Sequence, residues 1–131
     1  MPIQTLAVLQ TEFTIHSFTP ETQPDASIFS QDIYFIGKTS DELSVVVPSE
    51  LELNSLDSET GWRCLEVMGP LNFSLTGILS GIAGILASAD ISIFAISTFD
   101  TDYILVKQDC LSKAVEVLEK NDYKVNQLVE S

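Results

Sequence analysis

From Val67 to Ala89 the chain carries no charged residue. That length is close to the ~20 apolar residues that cross a bilayer, yet the stretch does not read as a span. Gly69 and Pro70 interrupt it near its start, and Asn72, Ser74, Thr76, Gly77, Ser80, Gly81 and Gly84 are scattered through it. No Lys/Arg cluster flanks it to set an orientation. A buried strand, a turn and a buried helix fit better. Leu75, Ile78, Leu79, Ile82, Ile85, Leu86 and Ala89 follow the spacing of one helix face. The three glycines at 77, 81 and 84 lower helix propensity and point to close packing against another backbone.

The flanking residues extend this pattern. Trp62–Met68 alternates and predicts a strand, and Gly69-Pro70-Leu71-Asn72 a turn. Ile91–Thr98 is apolar on both faces and predicts a central strand. Asp102–Lys107 follows after an acidic turn. Asp109 opens a second helix with Leu111, Ala114, Val115 and Leu118 on one face and an i, i+4 pair, Glu116 and Lys120, on the other. Asn121 suits its C-cap, and Tyr123–Val129 makes a last strand. The order is β-α-β-β-α-β, the ferredoxin-like arrangement.

The first half repeats part of that order. Strands are expected over Ile3–Gln10 and Phe13–Phe18, a Pro-rich loop over Thr19–Asp25, and one helical turn over Asp25–Phe29. Asp32–Lys38 and Glu42–Val47 read as a hairpin. Ser49–Thr60 reads as an acidic connector. Ile33–Thr39 aligns with Ile93–Thr98, Asp41 with Asp100, and Val45–Val47 with Ile104–Val106. The expectation is an α+β chain of two tandem ferredoxin-like domains, 1–59 and 60–131, the first truncated and lacking a full first helix.

Chemistry is constrained by what the chain lacks. Nineteen acidic residues face six basic ones, a net charge of −13 over 131 residues. That balance argues against nucleic acid and anionic membrane partners, which need Lys/Arg clusters. Two cysteines and one histidine, with no CxxC, exclude a usual zinc site and a disulfide framework. His16 is expected on a strand surface, and Cys64 in the core. No GxSxG, P-loop or second histidine supports catalysis, so no enzyme activity, metal or cofactor is expected. The N-terminus has no basic segment followed by a long apolar one, so a cytoplasmic protein is expected.

One ligand-binding chemistry is legible. A helix start after a Gly-Pro turn offers unpaired N–H groups and a positive dipole end, which suit a carboxylate. Ser74 and Thr76 add hydroxyls, while Asp100 and Asp102 offer acceptors for an ammonium or guanidinium. The same residues also serve as a plain helix cap and as turn formers.

Gly61-Trp62-Arg63-Cys64, the run Gly69–Leu79 (GPLNFSLTGIL) and Ile93–Lys107 with its STFDTDY core resemble the small two-domain ACT proteins. These are relatives of the cytosolic arginine sensors and of aspartate kinase regulatory domains. The resemblance is strong over residues 61–125 and weaker over 1–60. It implies tandem ACT domains, no catalytic domain, and an amino acid, with arginine or lysine as candidates, held between neighbouring domains. Carried onto this sequence, the binding loop is Leu71, Asn72, Phe73, Ser74, Leu75, Thr76 and Gly77, and the facing segment is Ser97, Thr98, Phe99 and Asp102, beside Asp100. Two readings stand: an amino-acid sensor, and a ligand-free ACT-type dimerisation module. Both imply a homo-oligomer, because a truncated domain leaves sheet edges without partners.

Overall fold

In the computed structural model, which describes residues 4–68 and 77–129, the two strands expected at the N-terminus are one, β1 (Thr5–Phe18). Gln10, Thr11 and Glu12 read as a break because they are polar. The strand instead runs through them while its partner changes: Thr5–Leu9 pair with the chain's last strand, and Phe13–Phe18 with Leu43–Pro48. The packing changes at the same place. Residues through Gln10 form one compact unit with residues from Arg63 onward, and Thr11–Trp62 form another. The sequence division into 1–59 and 60–131 had placed that first stretch with the N-terminal half.

The discontinuous unit holds the first half of β1, the end of β4 (Asp57–Val67), α1 (Ile78–Ser88), β5 (Phe94–Ser97), β6 (Asp102–Lys107), α2 (Leu111–Lys120) and β7 (Lys124–Val129). β1 lies beside β4, β4 beside β6, and β6 beside β5; β7 pairs in parallel with β1, Leu6 opposite Val125. The segment expected to be central, Ile91–Thr98, is therefore an edge strand. The interior place goes to β6, where Ile104, Leu105 and Val106 are all fully buried. One face of this sheet, through Leu6, Val8, Leu65, Val67, Ile104 and Val106, packs with Ile82 and Leu86 of α1 and Ala114, Val115 and Leu118 of α2. Burial of each such side chain contributes on the order of 1.5–3 kcal/mol.

Both helices stop in the same way. Asp90 and Asp122 adopt positive φ, 60° and 70°. The amide that follows each one, Ile91 or Tyr123, donates back to Leu86 or Leu118 at 3.0 and 3.1 Å. This is the Schellman arrangement, here with aspartate where glycine is usual, followed by a buried apolar residue. Asn121 is the C-cap of α2, as its sequence position indicated, and its side-chain amide donates to Val117 O at 2.8 Å.

The inserted unit has no α-helix among its residues. It carries a 3-10 turn (Ala26–Ser30) and the hairpin of β2 (Phe35–Lys38) and β3 (Leu43–Pro48), and β3 pairs antiparallel with β1. Ile28, Leu43, Val45 and Val47 form its core, with Leu51 and Leu53 of the connector packed on them. The connector also supplies hydroxyls. Thr14 Oγ1 meets Ser49 Oγ at 2.7 Å and His16 Nδ1 meets Ser55 Oγ at 2.9 Å. His16 is consequently 6% exposed, not the surface residue its strand position predicted.

No helix among the described residues is long and apolar enough to cross a membrane.

Candidate functional site

The β5–β6 turn is closed by threonines. The Thr98 amide donates to the Thr101 carbonyl at 2.8 Å, and the Thr98 hydroxyl donates to the same oxygen at 3.1 Å. The Thr101 amide returns to Thr98 Oγ1 at 3.3 Å. Such side-chain bonds substitute for backbone pairing in turns. Thr101, 7% exposed, directs its own hydroxyl elsewhere: it donates to the carbonyl of Val67, the last residue of β4. The hairpin tip is thereby fastened to the point where the chain leaves β4 for the predicted binding loop.

The predicted site residues fall into two groups. Ser97, Thr98, Phe99, Asp100 and Asp102 come together on this hairpin. Ser97 and Asp102 are directly opposite in the β5–β6 register, and the Ser97 hydroxyl donates to the Asp102 carboxylate. Asp102 is half-buried, Asp100 is exposed at the tip, and Phe99 is 80% exposed. Asp100 is not remote from the strand, because its charge, after burial and the charges of Glu66 and Cys64, helps push the Tyr103 hydroxyl above its ordinary pKa.

The second group is the loop. Leu71, Asn72, Phe73, Ser74, Leu75 and Thr76 lie outside the described residues, so the expected caps Asn72 and Ser74 do too. Gly77 is described. It is the N-cap of α1, with φ of 76°, a left-handed conformation that glycine adopts without a Cβ penalty. It offers no side chain to the first amides of α1, which by helix geometry lack intrahelical acceptors. Thr101 is the residue that sequence reasoning passed over. Its only signal was its place between two aspartates of the turn.

Cys64 is fully buried, and burial, with the nearby Glu66 charge, pushes its thiol up to about 12. A thiol so far from ionising is a poor nucleophile. Among the described residues no group of His, Cys, Asp and Glu side chains is placed to hold a metal ion.

Residues 57–120, which include β4, α1 and the hairpin, match the family model of the ACT domain. This stretch, just under half of the chain, resembles an ACT domain. Over 74 residues the chain is 46% identical to the human cytosolic arginine sensor for mTORC1 subunit 1. That alignment takes in 56% of this chain and 22% of the sensor, so the chain spans about a fifth of the curated relatives it matches. The crystal structure of an Agobacterium tumefaciens protein is similar over 99% of this chain and 97% of that one, with a TM-score of 0.90 and 27% identity. The regulatory subunit of aspartate kinase from Thermus flavus shares the fold, with a TM-score of 0.65 at 10% identity, over 92% of this chain and 98% of that subunit.

Proposed function

We propose that this chain is a non-catalytic, amino-acid-binding regulatory protein built from two ACT-type units, the inserted one truncated. The ligand sits between the loop of residues 71–77 and the hairpin of Ser97, Thr98, Phe99, Asp100 and Asp102. The observation that carries this reading is the Thr101–Val67 bond, which fastens an acidic, hydroxyl-rich hairpin to the start of that loop. Amides at the start of α1 suit an α-carboxylate, and the Asp102 carboxylate suits an α-ammonium. The relatives named for arginine sensing and for aspartate kinase regulation support the ligand class. The arginine sensors are also named as cytosolic, which supports the same location here.

The experiment is a thermal-shift screen of the twenty amino acids on the full chain. A ligand at 100 times its Kd stabilises by about 2.7 kcal/mol, a rise of several degrees in Tm. A flat response to all twenty sinks the proposal and leaves the ligand-free dimerisation module. That second reading draws on the edge position of β5, whose segment Ile91–Phe99 carries no charge to discourage strand pairing.

A further inference from the structure

β2 (Phe35–Lys38) ends the strand order of the sheet, and β3 is its one strand neighbour among the described residues. The turn between them fixes which backbone groups β3 uses. The Thr39 amide donates to Glu42 O at 2.9 Å, so Thr39 and Glu42 are a hydrogen-bonded pair. The Thr39 hydroxyl accepts from the Asp41 and Glu42 amides at 3.1 and 3.2 Å, which holds the turn. Antiparallel pairs alternate between bonded and non-bonded. In the observed register, Gly37–Ser44 and Phe35–Val46 are then the bonded pairs, and Lys38–Leu43 and Ile36–Val45 the others. Ile36 and Lys38 therefore turn their amides and carbonyls away from β3, toward the open edge.

An apolar ledge stands beside that edge. Tyr34 and Ile36 pack on the core of Ile28, Leu43, Val45 and Val47. Phe29, from the 3-10 turn, meets Tyr34 edge to face, with ring centroids 5.8 Å apart at 90°, and stays 57% exposed. Such a pair offers a wall to a further ring or aliphatic side chain. The charge around it is one-sided. Residues 11–62 carry ten carboxylates and a single Lys or Arg, Lys38. Asp32, just before β2, and Asp41, in its turn, are both exposed, so a carboxylate flanks each end of the edge. A second copy would bring the same carboxylates and the same lysine to β2, which disfavours pairing of this edge with itself. The β5 edge, uncharged over Ile91–Phe99, has no such guard.

We propose that the β2 edge and the Phe29–Tyr34 pair are a docking surface for a basic, extended segment of a partner protein, which joins the sheet as a further strand. The outward amides and carbonyls of Ile36 and Lys38 supply the ladder, as strand addition requires. Apolar side chains of the segment meet Phe29, Tyr34 and Ile36. Its Lys and Arg residues alternate onto the other face and are drawn by the carboxylates of the inserted unit. No amino-acid ligand at the β5–β6 hairpin is needed for this docking.

The probe is a fluorescent peptide, acetyl-RVKFTVK-amide, titrated into the full chain by anisotropy, with acetyl-EVEFTVE-amide as its charge-reversed counterpart. Lys38→Pro removes an outward donor and no bond to β3, a change that edge strands tolerate. Lys38→Thr keeps that donor and removes a charge that repels the peptide. The basic peptide should bind the parent, less tightly as salt is raised, and should bind Lys38→Thr at least as tightly. Lys38→Pro and Phe29→Ala should each bind it about tenfold more weakly or worse, a loss of about 1.4 kcal/mol. The charge-reversed peptide should not bind. In the parent, the bound peptide should slow hydrogen exchange at the Ile36 and Lys38 amides and leave that of Gly37 unchanged, a readout that stands even if Lys38→Pro does not fold. Equal binding by Lys38→Pro and Lys38→Thr, with exchange unaltered, means adhesion to an acidic surface and overturns the docking strand. So does an absence of binding to the parent. A fall in sedimenting mass of the unliganded chain on Lys38→Pro places a second copy on β2 and overturns the partner.

Discussion

Thr101 and Val67 are joined by a buried hydrogen bond in which the threonine hydroxyl donates to the strand-end carbonyl. It couples two segments far apart in sequence, the tip of the β5–β6 hairpin and the exit of β4. Among the described residues the buried polar side chains are Thr14, His16 and Thr101, and of these Thr101 alone belongs to this unit.

Thr101→Val keeps the side-chain shape and removes the donor. Leaving the buried carbonyl without that partner costs about 1–2 kcal/mol, and thermal unfolding should fall by roughly 3–6 °C. Thr101→Ser should retain most of the parental Tm. Equal melting of Thr101→Val and the parent would show that the bond contributes nothing.

Asp102→Asn should weaken binding of whichever amino acid the screen finds by about 1.5–3 kcal/mol, roughly ten- to a hundredfold. Asp100 is exposed at the turn tip, so Asp100→Asn should change affinity far less. Calorimetry on both variants decides it, and unchanged affinity in both removes these acids from the site.

His16 gives the stability a specific acid dependence. Burial lowers its pKa below the ordinary value, so the unfolded chain binds a proton more readily than the folded one. Stability should be level above the unfolded pKa of about 6.5 and fall as pH drops below it, by at most about 1.4 kcal/mol per pH unit for one proton. It levels again below the folded pKa. His16 is the single histidine, so one NMR titration reads it directly. A denaturation midpoint that stays constant between pH 7 and 5, with a His16 pKa at or above 6.5, would contradict this.

Self-association is expected through the sheet edges. Light scattering at micromolar concentration should give at least twice the 14.4 kDa chain mass. A mass near that of one chain refutes the homodimer.

Much of the fold was legible because the discontinuous unit obeys simple periodicity. Leu111, Ala114, Val115 and Leu118 were identifiable as a buried face from spacing alone, and three of them are fully or nearly fully buried. Edge and interior were not distinguishable for Ile91–Thr98, because β-rich apolar composition does not report how many neighbours a strand has. The burial of His16 was hidden for another reason. What covers it is Ser55, in a connector whose acidic composition resembles a solvated linker. Of the candidate site, the sequence showed the acids and hydroxyls of the hairpin but not the tie through Thr101, which is a tertiary contact with Val67.

The parallel pairing of β1 with β7 sets an order of events during synthesis. Leu6 is made well before its partner Val125, with most of both units between them in the chain. The inserted unit can close its β2–β3 hairpin as soon as it emerges, since those contacts are local. The discontinuous unit must hold its opening strand unpaired on that side until β7 has been made. A fragment starting at residue 60 therefore lacks Leu6 and Val8 from its core and the ladder neighbour of β7, and it should remain unfolded until a peptide of the first ten residues is supplied in trans.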